Sequence, residues 1–345
     1  MRGFGGKSIL VGLAALAVMA VLLPHAFHAG GAPRPGITLY NGQHPETTAA
    51  LVAAFERTTG IRVRVRNGDE DDLANQLVQE GSASPADVFY AENSPVLQFV
   101  QGKGLLAPVA PAALAKVPAR YNAPSGQWVG VTARLSGIVY NTTRLAPSAL
   151  PSSVMDLADP KWAGRLGLAP SEADFLPVIT SVARANGQAA ALRWLKALKA
   201  NAGSHVYPDN ETLTAAVNSG KVAIAIVDNY YWYRLAYELG RPSMHSVFTT
   251  FAPRDAGYII DVSGVAVLRT SRQPAAAQRF LAFLVSRDGE EIIAHSQSFE
   301  YPLGSGVTTA QPLRPFADLR PAPLGVADLG DGSVAVALLH EAQLL

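Results

Sequence analysis

Residues 37–65 read ITLYNGQHPETTAALVAAFERTTGIRVRV, and this stretch decides the fold. Ile37-Thr38-Leu39-Tyr40 is an apolar strand. Pro45 suits the first turn of a helix, where its missing N–H would have no partner anyway. Ala49, Leu51, Val52 and Phe55 then recur at helical spacing, and Gly60 supplies the stop. Ile61 to Val65 alternates apolar and charged residues, the pattern of a half-exposed strand. Asp69 to Asp72 place negative charge at the start of a second helix carrying Leu73, Leu77 and Val78, which ends at Gly81. Ala86-Asp87-Val88-Phe89-Tyr90 is a short buried strand. The order β-α-β-α-β predicts an α/β fold with a mostly parallel sheet and helices on both faces.

The pattern continues downstream. A strand is expected over Val129 to Tyr140, helices over Gln188 to Leu198 and Glu211 to Val217, and a buried strand over Val222 to Val227. That strand leads into a helix through Tyr233, Leu235 and Tyr237. A further strand is expected within Gly257 to Leu268, a long helical region over Pro274 to His295, and an amphipathic helix over Val334 to Leu345. The chain has 345 residues, of which 49% are hydrophobic and 16% charged, enough for about two domains and a large core. Such a composition excludes a disordered chain. The formal net charge is +1 and no basic run stands out, so nucleic acid is not expected as a partner. There are no cysteines, which excludes disulfides, thiol catalysis, thiolate zinc sites and a lipid anchor on cysteine.

The N-terminus is a targeting segment. Arg2 and Lys7 precede the apolar run Ile9 to Leu23, and Pro24 follows. A charged region before an apolar run of this length reads as a secretory signal over residues 1–31, with Ala29 to Ala32 offering small residues for cleavage. Retention as a membrane anchor is the other reading, although a spanning helix wants roughly 20 apolar residues. The mature chain is expected outside the cytoplasmic membrane, periplasmic or at the cell surface.

In open parallel sheets, ligands bind beyond the carboxyl ends of the strands. Tyr40 is followed by Asn41-Gly42-Gln43-His44-Pro45-Glu46, Tyr90 by Ala91-Glu92-Asn93, and Val227 by Asp228-Asn229-Tyr230-Tyr231-Trp232-Tyr233. A histidine, a carboxylate and a tyrosine pair therefore fall at three strand ends. Carboxylate and phenolate oxygens suit a hard, highly charged cation, and a phenol of pKa about 10 ionises at neutral pH only beside one. Fe³⁺ fits that role better than Mg²⁺ or Ca²⁺. Adjacent tyrosines point to opposite faces of a strand, so both reach one ion only if the pair sits in a first helical turn. Asp228 or Asn229 could cap that helix. Taken singly, His44 and Glu92 read as ordinary caps and the aromatic cluster as core; their joint placement favours the metal site. The acidic run Asp69 to Asp72 reads as a helix start, and His205, His245, His295 and His340 as structural.

With those residues in view, the chain resembles the periplasmic ferric-ion-binding proteins of bacterial ABC iron importers, family 1 extracellular solute-binding proteins. The resemblance rests on ITLYNGQHPE (37–46), SPADVFYAEN (84–93) and NYYWY (229–233), and extends to Asp159-Pro160-Lys161-Trp162, Asp209-Asn210-Glu211, Ser263-Gly264 and Glu300-Tyr301-Pro302-Leu303. It implies a two-lobed type II "Venus flytrap" fold with two crossover strands. Lobe one would comprise 36–134 and 263–310, and lobe two 135–262 and 311–345. It implies iron ligands at His44, Glu92, Tyr230 and Tyr231, and anion or supporting contacts at Asn93, Asn210, Asp228, the loop Ser171 to Phe175, and Arg134. The partners implied are the ferric ion and an inner-membrane permease, with the protein acting as a monomer and not as an enzyme.

Two departures set this chain apart. Glu172 and Asp174 stand where members with a bound phosphate have small neutral residues, and Asp228 stands where they have asparagine. Phosphate needs neutral or cationic donors around it, so a synergistic phosphate is not expected here. A carboxylate of this set, or water, is expected to fill the remaining iron positions. Two other readings stay open at this point: a binder of an organic cation such as a polyamine or thiamine, stacked on the aromatic cluster, and a non-haem iron enzyme with open coordination positions.

Overall fold

The computed structural model describes residues 36–304 and 306–345. The signal segment expected over 1–31 lies outside them. Among the described residues, no helix is long and apolar enough to cross a membrane.

Among the described residues nine strands form one sheet: β1 (Gly36–Asn41), β2 (Arg62–Asn67), β3 (Val88–Ala91), β4 (Val129–Asn141), β5 (Leu166–Gly167), β6 (Ile224–Asp228), β7 (Ser246–Thr249), β8 (Ile260–Val267) and β9 (Tyr301–Pro302). The main order is β2-β1-β3-β8-β4-β6-β5, with β7 and β9 also paired to β4. The N-terminal unit forms as expected. Helix Pro45–Thr59 opens on proline and closes on Gly60, whose φ of 70° is left-handed and costs glycine nothing. Edge strand β2 exposes Arg62, Arg64 and Arg66, charges that discourage a further strand from adding there.

The sheet is mixed, which corrects the mostly parallel expectation. β1 runs parallel to β2 and β3, and β5 parallel to β6, but β8 and β4 run antiparallel to every neighbour. A βαβ signature reports only the pair it connects; the long crossovers β4 and β8 are invisible to it. β4 is buried along all 13 residues. Its first half, Val129–Leu135, pairs with β8, and its second half, Ser136–Tyr140, pairs with β6. At this handover Arg134 lies opposite Asp261 on β8, and Ser136 opposite Asp228 on β6. Backbones approach closely there. A Cβ on Gly130 would lie 2.4 Å from the Tyr121 carbonyl oxygen, so only glycine fits.

Two helical expectations are refined. The Pro274–His295 region is two helices, Pro274–Leu284 and Arg287–His295, and the C-terminal helix is Ser333–Glu341. That last helix packs on Phe175–Asn186 and Gln188–Ala202.

Candidate metal centre

Each candidate ligand sits where a strand gives way to a helix. β1 ends at Asn41, and the Asn41 side chain donates to the Gln43 carbonyl at 2.7 Å, tightening the turn. The His44 N–H donates to Gln43 Oε1 at 2.7 Å, and Pro45 starts the helix. This turn lies hard against Glu70: a Cβ on Gly42 would sit 2.6 Å from Glu70 Cβ. Glu92 follows β3. Tyr230 and Tyr231 occupy the first turn of helix Asn229–Leu239, which starts as β6 ends. The first-turn requirement for a tyrosine pair is met, and their rings lie 4.0 Å apart at 32°.

These residues converge. His44 Nε2 is 3.6 Å from Glu92 Oε1, and the His44 ring packs edge-on to Tyr230 at 5.0 Å. Both hydroxyls donate to Asp174 Oδ2, Tyr230 at 3.1 Å and Tyr231 at 2.8 Å. Tyr231 also lies 3.4 Å from Glu172 Oε2. His44 Nε2 and Glu92 Oε1 are buried atoms with no hydrogen-bond partner. Such groups are costly unless something completes them. Here the two orphans are candidate ligand atoms, 3.6 Å apart. Glu300 joins them, its ligand atom within 4.8 Å of theirs.

Electrostatics sharpen the case. Burial, with Arg234 and Arg134 nearby, pushes His44 down to about 3, so the imidazole is neutral and its lone pair free. Burial and Asp174 raise Glu92, and the same two causes hold both phenols well above their usual range. The phenols thus keep their protons until a strong cation displaces them. One imidazole, carboxylates and two phenols form a set for a hard trivalent ion.

Arg134 organises the support. It is fully buried and donates from Nε to Asp228 at 2.8 Å and from Nη2 to Asp174 at 3.0 Å and Asp261 at 3.3 Å. It also donates to the Glu92 carbonyl and to Asn93 Oδ1, and pairs with Glu300 at 3.8 Å. Burial works against Asp174, yet Arg134 and its hydrogen bonds hold it below its usual range. Asn93 Nδ2 donates to Asp174 Oδ1 at 3.0 Å. Asn210 is buried, beside Asp174 and Asp228 in the wall of one small cavity, and its backbone hydrogen-bonds to Glu172.

All ten residues singled out in the sequence therefore meet in one region. One expectation fails: neither Asp228 nor Asn229 caps its helix through a side chain. Arg134 takes Asp228, while Asn229 accepts from Leu135 N–H at 2.7 Å and donates to the Phe299 carbonyl at 3.0 Å. Three acids were not foreseen as part of the site. Glu70 looked like a helix start, yet it is buried and accepts from the backbone N–H groups of Glu92 and Asn93 at 2.6 and 2.8 Å and from Asn93 Nδ2 at 2.6 Å. Asp261 and Glu300 become legible only through the strand register around Arg134.

Comparison with known proteins identifies the family. Residues 83–319 match the family described as bacterial extracellular solute-binding protein. A Serratia marcescens "Fe(3+)-binding periplasmic protein" is 38% identical, covering 97% of this chain and 98% of the relative. The "major ferric iron-binding protein" of Neisseria meningitidis serogroup A is 36% identical over 93% and 97% of the two chains. Among solved structures, iron-bound HitA from Pseudomonas aeruginosa superposes with a TM-score of 0.85 at 42% identity, covering 89% of this chain and 99% of that one. The fold is thus the two-lobed type II arrangement with crossover strands β4 and β8. With most of its length matched by the family and relatives aligned nearly end to end, the chain belongs to the bacterial extracellular solute-binding protein family, alongside these periplasmic ferric-ion-binding proteins.

Proposed function

We propose that this chain is the extracytoplasmic substrate-binding protein of an ABC importer and that its cargo is Fe³⁺. The ion would be held by His44, Glu92, Tyr230 and Tyr231, with Asn93, Arg134, Asn210 and Asp228 supporting the site. Lobe one would be 36–134 with 263–310, and lobe two 135–262 with 311–345; β4 changes partners at Leu135, next to that boundary. Ligands drawn from both lobes give the ion a higher affinity for the closed form, which excludes water and strengthens each charged contact. Protons displaced from the phenols on loading return at low pH and favour release. The protein would work as a periplasmic monomer that docks on an inner-membrane permease.

The observation that carries this reading is the orphaned pair, His44 Nε2 and Glu92 Oε1, 3.6 Å apart, with the His44 ring against Tyr230. The organic-cation reading is disfavoured because Tyr230 and Tyr231 stack on each other and turn their hydroxyls to Asp174. The enzyme reading is disfavoured because the relatives aligned nearly end to end are named as binding proteins. The test is visible spectroscopy during Fe³⁺ titration. One equivalent is expected to produce a red to purple phenolate charge-transfer band. Tyr230→Phe and Tyr231→Phe should each shift or bleach it and weaken binding by more than the ~10–100-fold typical of an outer-shell change. A colourless complex, or unaltered spectra in both variants, would remove the tyrosine site.

A further inference from the structure

We infer that Phe299 is a positioning residue for the bound ion: an aromatic wedge that fixes the helix carrying both tyrosines and so sets how fast the ion leaves. The inference rests on the ferric reading of the site. Ile293 before Phe299, and Tyr301 and Leu303 after it, are buried in the large hydrophobic cluster that contains Leu39, Val88 and Val265. Phe299 turns away from that cluster. Its ring enters a second one, built around the tyrosine pair from Val139, Val227, Trp232 and Ala236. Among the described residues, the other fully buried members of this second cluster all lie between 139 and 236. The detour is strained. Phe299 has a φ of 55°, in the left-handed region that a bulky side chain seldom adopts. Such a conformation persists only where the surroundings over-determine it.

Here they hold it from several sides. The buried ring stacks on Tyr233 at 5.8 Å and 21°, and lies 6.2 Å from the Tyr237 ring. The Phe299 carbonyl accepts from Asn229 Nδ2 at 3.0 Å, and Asn229 Oδ1 accepts from the Leu135 N–H at 2.7 Å, where β4 changes partners. Next along the chain, Glu300 pairs with Arg134 at 3.8 Å and Tyr301 pairs with Ala133 on β4. At the surface, Gln297 Nε2 donates to the Tyr237 hydroxyl at 2.7 Å. These contacts bracket the tyrosine pair: Asn229 immediately precedes Tyr230, and Tyr233 lies two residues beyond Tyr231. Held at both points, the first turn of helix Asn229–Leu239 cannot rotate or slide while the ring is seated. An ion bound through both phenols leaves only when that turn draws back from His44 and Glu92, so the ring must leave its seat first. Unseating also lets the Phe299 backbone return to an ordinary φ, which offsets part of the lost apolar contact and keeps the wedge reversible.

The test follows release of Fe³⁺ from the loaded full-length protein to excess EDTA, read as decay of the charge-transfer band. Phe299→Ala removes the ring, and Phe299→Leu keeps much of its apolar volume but not the stack. Gln297→Ala and Tyr237→Phe remove the surface hydrogen bond without touching the core. Phe299→Ala is expected to release iron at least about tenfold faster, the scale of emptying a buried aromatic site. Its band maximum should not move, because the ligands are unchanged. Phe299→Leu should fall between Phe299→Ala and the wild type. Gln297→Ala and Tyr237→Phe should each release roughly two- to tenfold faster, the loss of one hydrogen bond. A merely structural role for Phe299 gives another pattern: lower stability in denaturant with the release rate unaltered. Release from Phe299→Ala within about threefold of the wild type would overturn the inference. If Phe299→Ala does not fold, Phe299→Leu and Gln297→Ala decide, and wild-type release from both would overturn it equally. Failure of the ferric reading itself looks different: the wild type would then show no charge-transfer band to follow.

Discussion

Replacing Arg134 with leucine removes the guanidinium that, among the described residues, pairs with four buried acids. Its guanidinium lies 2.8 Å from Asp228, 3.0 Å from Asp174, 3.3 Å from Asp261 and 3.8 Å from Glu300. Each attraction is ~4–6 kcal/mol at an effective dielectric of 20, but the cost of burying the guanidinium and the repulsion among the acids offset most of the total. Breaking a buried pair from one side costs about 3–5 kcal/mol, which is the loss expected for the iron-free protein at pH 8. In a body of this size that is roughly 5–9 °C in Tm. The loss should depend on pH. Glu300 stands at about 7 and Asp261 at about 6, both raised mainly by burial, and losing Arg134 raises them further. Protonation then neutralises the cluster, so the defect should shrink as pH falls from 8 to 6. Adding Asp228→Asn to Arg134→Leu should recover at least ~1 kcal/mol, because one uncompensated charge is gone. The assay is differential scanning calorimetry of chelator-treated protein at pH 6, 7 and 8. A loss below about 1 kcal/mol, or one constant across that range, would refute a charge-compensating role for Arg134.

Three further outcomes are expected. The iron-free wild type should lose stability between pH 6.5 and 8.5, read by thermal melts. Glu300 and Glu172, raised to about 7 and about 8 chiefly by burial, bind protons more tightly folded than unfolded, so their penalty is absent below pH 4.5 and complete only above those values. Neutral His44, held near 3, works in the opposite direction, its contribution falling as pH drops below about 6.5. Glu70→Gln should weaken iron binding by ~10–100-fold without moving the charge-transfer band, since it disturbs only the N–H groups that hold Glu92 and Asn93; a shifted band would place Glu70 on the metal. Gly130→Ala should cost ~1–3 kcal/mol by denaturant melt, because its Cβ meets the Tyr121 carbonyl at 2.4 Å; a neutral substitution would mean that the crossover strand yields freely.

Much of this was legible in the residues. Strand ends at Tyr40, Tyr90 and Val227 with His44, Glu92 and the tyrosine pair beyond them are local signals, and local signals survive folding. The mixed sheet was not legible, because antiparallel pairing of β4 with β8 and β6 joins segments far apart in sequence. The burial of Glu70 is hidden for a related reason. Asp69, which does cap the helix, and Asp71 are exposed beside it, while Glu70 turns inward under Gly42. Asp174 stands out in the sequence as a charge where the resembled family has small neutral residues; its hydrogen bond to Arg134 on β4 is not legible there.

The late position of β8 has a consequence for how the chain is made. β3 has β1 on one side and β8 on the other, with Val88 opposite Val267. Those partners are about 180 positions apart, which a ribosome covers in roughly 10–40 s. Throughout that interval β1, β2 and β3 have no antiparallel neighbour, and the half of the sheet they begin cannot close. The intervening residues, Val129 to Asp228, can meanwhile assemble β4, β5 and β6 without them. Synthesis order thus keeps the N-terminal portion loose longest. In the N-terminus-first export proposed for this chain, the delay would leave the leading segment free to pass before the sheet closes.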